Sequence, residues 1–304
     1  MSFINVSIVI VNYNTRDLLR DCIKSIYEKT EGVSFEIVVS DNGSVDGSVE
    51  MLKTEFPQVI LVENNANLGF GTANNRGLDV AKGECIFYLN SDTLLLNNAV
   101  KLFYDAWKAC ARGSIGAMGC TLVDADGKLT ESYGTFPKAK DLLKAMVHHT
   151  LAFYVKNMMK LFRMDISKLR PVPVYQKWIG DVDYVTGADL FMANDENARF
   201  DEKFFLYFEE TDMQWRLAQK GLRRVIVEGP EIMHLIRGGR KKADDVVRYG
   251  SFSIMQAEIS RVRYTKKNLS VLTAFLLKLM ISVQWLSPFI LKNTKKFIKT
   301  LWSV

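Results

Sequence analysis

Short, nearly uninterrupted apolar runs alternate along the chain with longer segments whose apolar positions recur every three to four residues. Residues 6–11 (VSIVIV) form the first run, rich in β-branched side chains, and it ends at Asn12-Tyr13-Asn14. Thr15 then stands where a helix can be capped, and Leu18, Leu19, Cys22, Ile23, Ile26 and Tyr27 follow helical spacing. The alternation continues with strands at 35–40, 59–62 and 85–89. Between them lie the loop DNGSVDGS and its following helix, and a helix over 71–82. Strands that alternate with helices of this length imply right-handed βαβ units and a parallel sheet. The strands are apolar throughout rather than every second residue, as expected when helices cover both faces.

Beyond residue 97 the spacing predicts a helix over 97–111, a strand over 115–122 and a helical stretch over 138–170. A strand over 184–192 follows, then a helix over 209–221 closed by Gly221, and a short strand over 224–227. Residues 269–291 (LSVLTAFLLKLMISVQWLSPFIL) approach the length of a membrane span. Lys278, Gln284 and Pro288 interrupt that stretch, Lys292, Lys295, Lys296 and Lys299 follow it, and Trp302 stands near the end. Its apolar residues go nearly all round the helix. Peripheral contact with a membrane interface is favoured over a span, with packing on the body or in a homo-oligomer as the alternative.

Composition changes this picture little. The 304 residues suffice for one large domain or two small ones, and 48% hydrophobic with 24% charged content is that of a globular protein. Cys22, Cys85, Cys110 and Cys120 are scattered with no CxxC pair, against a structural zinc or a disulfide framework. The first residues carry no basic segment ahead of an apolar one, so a cytoplasmic location is the expectation. Charge is divided unevenly. From Arg237 onward there are 14 Lys/Arg against three Asp/Glu, a net of +11, within a chain of net +6. A basic tail points to an anionic partner. The tail lacks the interleaved aromatics of a nucleic-acid surface, so no nucleic acid is expected.

Polar residues gather where the strands end: Asn12 and Asn14, then Asp41, Asn42 and Ser44, then Asn90, Ser91 and Asp92. In open α/β sheets ligands bind at the carboxyl ends of strands. One such cluster is as well explained by turn and cap chemistry; three together favour a ligand crevice. Asp92 is either a one-carboxylate ligand for a divalent cation or a cap for the next helix. Residues 64–77 are rich in amides and glycine and include Arg76. They suit close approach of a phosphate but match neither a Walker loop nor GxGxxG. His148 and His149 read as part of a helix face, and His234, after a Gly-Pro turn, as either structural or functional. Residues 204–217 (FFLYFEETDMQWRL) place Glu209, Glu210 and Asp212 among aromatics. Acids favoured by a helix dipole explain one or two of these carboxylates and leave the surrounding rings unexplained.

Taken in order, IVNYN (10–14), DNGSVDGS (41–48), NLGFGTANNRG (67–77), LNSDT (89–93), DYVTGA (183–188), the 204–221 segment and His234 resemble family 2 glycosyltransferases of the GT-A fold. The bacterial rhamnosyltransferase-like branch is the nearest in pattern, and the resemblance covers about residues 5–236. It implies a GT-A, Rossmann-like sheet over 1–236, with a nucleotide-sugar half (1–95) and an acceptor half (96–236). A basic helical extension over 237–304 would follow. It further implies that Asp41 bonds the nucleobase, that Tyr13 lies against it, and that Asn67, Gly69, Arg76, Asn90 and Ser91 line the donor site. Asp92 would hold Mg²⁺ or Mn²⁺ with help from His234, and Asp183 and Gly187 would meet the acceptor. Glu210 stands where the family's catalytic base is an Asp, with Glu209 as the fallback. The implied donor is a nucleotide-diphosphate sugar, dTDP-rhamnose first and a UDP-hexose second. The implied acceptor is a saccharide on polyprenyl diphosphate at the inner face of the membrane. The sequence departs from the family pattern at Asn90, where the first Asp of the metal motif is usual, and at Glu210. A nucleotide-sugar-binding subunit without catalysis is the competing reading.

Overall fold

The structure is a computed structural model that describes residues 3–110, 113–162, 174–235, 252–286 and 294–304. The chain divides into two compact units. One comprises Met1–Phe136, Tyr175–Phe205 and Glu209–Arg240, the other Pro137–Val174, Leu206–Phe208 and Lys241–Val304. The segment 137–174, which the sequence reading counts with the acceptor half (96–236), is assigned to the second unit.

The first unit begins β1 (Val6–Asn12), α1 (Arg16–Lys29), β2 (Phe35–Asp41), α2 (Ser48–Glu55), β3 (Ile60–Glu63), α3 (Phe70–Leu78), β4 (Cys85–Asn90), β5 (Thr93–Leu95) and α4 (Ala99–Ala109). It continues with β6 (Ile115–Gly119), β7 (Leu122–Val123) and β8 (Tyr133–Gly134). After α5 (Ala139–Leu161), which lies in the second unit, come β9 (Gly180–Val182), β10 (Tyr184–Val185), β11 (Asp189–Ala193), α6 (Glu209–Gln219), β12 (Arg223–Ile226) and β13 (Ile232–His234). The main sheet has the order β3-β2-β1-β4-β11-β6-β12-β9. β1, β2, β3 and β4 run parallel, as the alternation of strands and helices predicts. β11 enters antiparallel between β4 and β6, and β12 pairs parallel with β6.

Both faces of the sheet are buried, which is why its strands read as continuous apolar runs. On one face Ile8, Ile10, Val39 and Phe87 pack with Leu19, Cys22, Ile23 and Ile26 of α1 and with Phe103 of α4. On the other, Val9, Val38, Tyr88 and Leu190 pack with Leu78 of α3 and with Met213 and Leu217 of α6. Each such side chain contributes ~1.5–3 kcal/mol on burial.

Two expected strands are broken. The 184–192 run divides at Thr186-Gly187-Ala188 into β10 and β11, and the 115–122 run divides into β6 and β7. In the first case β10 is drawn out of the main sheet. The Gln214 side chain of α6 accepts from Val185 N–H at 2.8 Å and donates to its carbonyl at 2.7 Å, taking the place of a neighbouring strand. Gly221, at φ +75°, closes the turn after α6 as its sequence position predicts.

In the second unit, α5, α7 (Phe252–Asn268), α8 (Val271–Trp285) and α9 (Thr294–Ser303) bury Met146, Phe153, Ile259, Val262, Leu277, Ile281, Trp285, Phe297 and Leu301. Residues 163–170 of the expected long helix, 237–251 of the basic tail, and Pro288, Leu291 and Lys292 of the apolar stretch lie outside the described residues. Among the described residues no helix is long and apolar enough to cross a membrane.

Candidate active site

The carboxyl ends of β1, β2 and β4 carry one connected set of hydrogen bonds. Asn12 and Asp41 are register partners. Asn12 Nδ2 donates to Asp41 Oδ1 at 2.6 Å and to Ser44 Oγ at 2.9 Å. Asp41 Oδ2 accepts from the N–H groups of Gly43 (3.1 Å) and Ser44 (2.9 Å), so the carboxylate is held rigidly and is nearly sealed from solvent. Thr15 stands at the N-cap of α1, yet its hydroxyl makes no capping bond. It donates to Asn12 Oδ1 at 2.5 Å and meets Ser91 Oγ at 2.9 Å, which ties the β1 end to the β4 end. Tyr13 projects half-exposed beside this set.

The amide-rich segment forms a second wall. Asn42 Nδ2 donates to the Gly69 carbonyl at 3.1 Å, and Gly69 N–H donates to Asn67 Oδ1 at 3.1 Å. Gly69 has φ +87°, and a Cβ there would stand 2.3 Å from the Phe205 carbonyl oxygen. Only glycine permits that approach. Phe70 N–H donates to the same carbonyl at 2.9 Å, which joins the start of α3 to the residue that leads into the acidic motif. Arg76 is exposed in the last turn of α3, about 9 Å along the helix axis from Phe70 at 1.5 Å per residue. The structure therefore does not bring it into the hydrogen-bonded set at the strand ends.

Asp92 and His234 are brought together by the small sheet β5-β13-β7, in which His234 is opposite Thr93. His234 Nε2 lies 3.3 Å from Asp92 Oδ1, and Leu235 N–H donates to the Asp92 carbonyl at 2.8 Å. Asn98 occupies the N-cap position of α4, the helix after β5, without a side-chain capping bond, and Asp92 lies six residues before it, so Asp92 is not a cap. Asn90 Oδ1 is buried without a hydrogen-bond partner. Among the described residues no group of three or more His, Cys, Asp or Glu could hold a metal ion by itself.

The acidic turn opens α6. Tyr207 and Phe208, just before it, both adopt left-handed backbone (φ +69° and +68°), a conformation costly for bulky side chains and concentrated at functional sites. Glu209 is 3% exposed and its Oε2 has no hydrogen-bond partner. Burial first, and then the adjacent Glu210 charge, push its carboxyl well above the usual carboxylate range. Glu210 is half-buried. Burial raises it and the Glu131 charge adds to this, while backbone N–H groups and the Thr211 hydroxyl, 3.3 Å from Oε1, oppose the rise. A Cβ on Gly187 would meet Phe70 Cε1 at 3.5 Å and Glu210 Cβ and Cγ at 3.7 Å. Gly187 therefore packs against the Phe70 ring and the aliphatic part of the Glu210 side chain. The sequence places aromatics at 204–208 beside these acids. In the structure Tyr207 is 43% exposed and Phe208 packs against Tyr264 with ring centroids 5.4 Å apart.

Asp183 Oδ2 accepts from Phe136 N–H at 2.8 Å, which leaves Oδ1 as its less committed oxygen. Two residues of this region escape sequence reasoning. Glu131 precedes β8 in a segment with no helical or strand periodicity, and Gln214 looks like an ordinary helix residue. Gln214 also donates to the Glu210 carbonyl at 3.2 Å, fixing the first turn of α6 against β10.

Asp189, at the start of β11, is fully buried and accepts from Cys120 N–H at 2.7 Å. Burial pushes its pKa up to about 8. The group is protonated in the fold and ionised in the unfolded chain above ~pH 4. Its contribution is complete at low pH and is lost as pH rises to about 8, on the order of a few kcal/mol. Asp189→Asn is expected to unfold at a higher temperature than wild type near pH 8, with the gap closing toward pH 5. A gap independent of pH in thermal melts would refute this.

The family model described as Glycosyl transferase family 2 matches residues 7–166, more than half of the chain. The protein belongs to glycosyl transferase family 2. This family 2 glycosyltransferase is 26% identical over 240 residues to an N-acetylglucosaminyl-diphospho-decaprenol L-rhamnosyltransferase of Mycobacterium tuberculosis, with 75% of each chain covered. Its fold is that of the GT-A glycosyltransferases. The mannosyltransferase PcManGT of Pyrobaculum calidifontis, solved with GDP-Man and Mn²⁺, superposes with a TM-score of 0.53 at 15% identity, over 100% of this chain and 74% of that one. GalNAc-T7, solved with UDP, GalNAc and Mn²⁺, superposes with a TM-score of 0.61 at 15% identity, over 99% of this chain and 55% of that one.

Proposed function

We infer that this glycosyltransferase moves a sugar, with inversion, from a nucleotide-diphosphate donor to a hydroxyl of a saccharide carried on polyprenyl diphosphate. Rhamnose from dTDP-rhamnose is the first donor and a UDP-hexose the second. The observation that carries the reading is the placement of Glu210. It is a half-buried carboxylate raised in pKa, at the first turn of a helix, next to Gly187 and the Phe70 ring. The donor and acceptor classes follow the rhamnosyltransferase relative, whose name specifies a sugar on a polyprenyl diphosphate. An acceptor of that kind places the enzyme at the inner face of a membrane.

In the proposed step Glu210 takes the proton of the acceptor hydroxyl. The freed oxygen forms a bond to the anomeric carbon as the bond from that carbon to the diphosphate oxygen breaks. The nucleoside diphosphate leaves with the electron pair, and a single displacement inverts the configuration. Asp41, fixed by Asn12 and two backbone N–H groups, is assigned to a nucleobase N–H by the family resemblance. Tyr13 offers a ring face to the base, and Asn67 and Gly69 line the donor side. Asp183 and Gly187 face the acceptor.

The residues at the β4 end fit a divalent cation. Asp92 supplies a hard oxygen, His234 an imidazole 3.3 Å away, and Asn90 a buried carbonyl oxygen without a partner. So few protein ligands suit Mg²⁺ or Mn²⁺, which complete their shells with water and substrate phosphate. When bound, the ion neutralises charge on the leaving diphosphate.

The test is product formation from a panel of nucleotide sugars with Mn²⁺ or Mg²⁺ and a short lipid-diphosphate saccharide. Transfer from one donor with inverted configuration is expected. Tight donor binding with no transfer to any of several acceptors would establish the non-catalytic binding subunit instead.

A further inference from the structure

α8 is apolar on both of its faces. Its inward residues Ala274, Leu277, Ile281 and Trp285 fill the core of the helical unit. On the opposite face Leu272, Phe275, Leu279 and Val283 recur at helical spacing and are 41–68% exposed. α5 repeats the arrangement. Met146 and Phe153 point inward, while Val147, Leu151, Val155 and Met158 form an outer stripe that is 45–62% exposed. The two stripes adjoin, because the Tyr154 hydroxyl donates to the Val283 carbonyl at 3.1 Å. Soluble monomers rarely expose contiguous apolar surface on this scale.

The charge on α5, α8 and α9 is predominantly positive. α8 and α9 contain no Asp or Glu, and α5 has only Asp141, in its first turn. Exposed Lys144, Lys295, Lys296 and Lys299 stand on the same helices. Lys278 emerges within the α8 stripe with Nζ 5.7 Å above the ring of Trp302, itself 41% exposed and edge-on to Phe275. A tryptophan and a lysine together at the rim of an apolar face match the chemistry of a membrane interface.

We propose that the outer stripes of α5 and α8 form one docking face for an anionic lipid bilayer, with the apolar side chains at the headgroup boundary and the lysines on lipid phosphates. A second copy of the chain is the weaker occupant. A two-fold interface sets the same patch against itself and would oppose lysine to lysine with hardly a carboxylate to pair them. The face goes beyond the transfer reaction. It depends on neither the donor nor the role of Glu210, and it adds to the C-terminal apolar stretch a helix distant from it in the chain.

The test is co-sedimentation of the full chain with vesicles of phosphatidylcholine, alone or with phosphatidylglycerol added. Binding to the anionic vesicles that weakens with salt is expected. Leu151→Glu with Val155→Glu on α5, and separately Leu272→Glu with Leu279→Glu on α8, should each lower it about tenfold or more. Transfer to a water-soluble acceptor should be unchanged in both, so loss of docking is separable from loss of activity. Because a paired substitution can unfold a helix, quenching of tryptophan emission by brominated lipids gives a second readout, expected to fall in Trp302→Phe. The proposal is overturned by absence of binding to anionic vesicles, or by binding that the α5 pair does not change. A dimer in sedimentation velocity that both pairs dissociate would overturn it equally.

Discussion

Glu210→Gln is expected to bind donor as wild type does and to lower kcat for transfer by about 10³-fold, the range for loss of a general base. The amide keeps the size of the side chain and the contact with Gly187 and removes the proton acceptor. Glu209→Gln is expected to retain transfer within about tenfold, because Glu209 is sealed from solvent, its Oε2 has no hydrogen-bond partner, and burial disfavours the ionised form that a base needs. The pair of variants thus separates two adjacent acids that sequence alone leaves exchangeable. The pH profile adds an independent check. The proposed base works ionised, and its pKa is raised by burial and by Glu131. The acid limb of kcat/KM should therefore lie above the usual glutamate range, and Glu131→Gln should move it to lower pH. Equal losses in both Gln variants would remove Glu210 from the assigned role.

Asp92→Ala is expected to lower transfer by about 10²-fold or more and to abolish the strengthening of nucleoside diphosphate binding by Mn²⁺. Calorimetric titration of the diphosphate with and without the ion reads this directly and needs no turnover. His234→Ala should weaken the ion's effect by about 10–100-fold, the range for a supporting partner, without abolishing it. The prediction rests on proximity. Asp92 and His234 are 3.3 Å apart, with Asn90 Oδ1 unpartnered in the same motif. Diphosphate binding that Mn²⁺ strengthens equally in wild type and Asp92→Ala would show that the ion sits elsewhere.

Much of this molecule is legible in the order of its residues. The apolar runs of β1, β2 and β4 name themselves, because a strand covered on both faces has no polar alternation to confuse it. Motif order was enough to identify the family, since seven short segments in one sequence leave few other folds. Local pattern does not carry interactions between segments distant in the chain. Asp92 meets His234 only because β5 and β13 pair antiparallel, and that register is a property of the folded sheet. Thr15 sits where a cap is expected, yet its hydroxyl turns to Asn12 and Ser91, partners that appear only once β1 and β4 lie side by side. The break at Thr186-Gly187-Ala188 follows from Gln214 reaching across from α6, which no periodicity in 184–192 records. Glu209 and Glu210 differ by one position and by almost nothing in propensity. The fold seals one from solvent and leaves the other half-open, because desolvation depends on which atoms surround a carboxylate rather than on its neighbours in the chain.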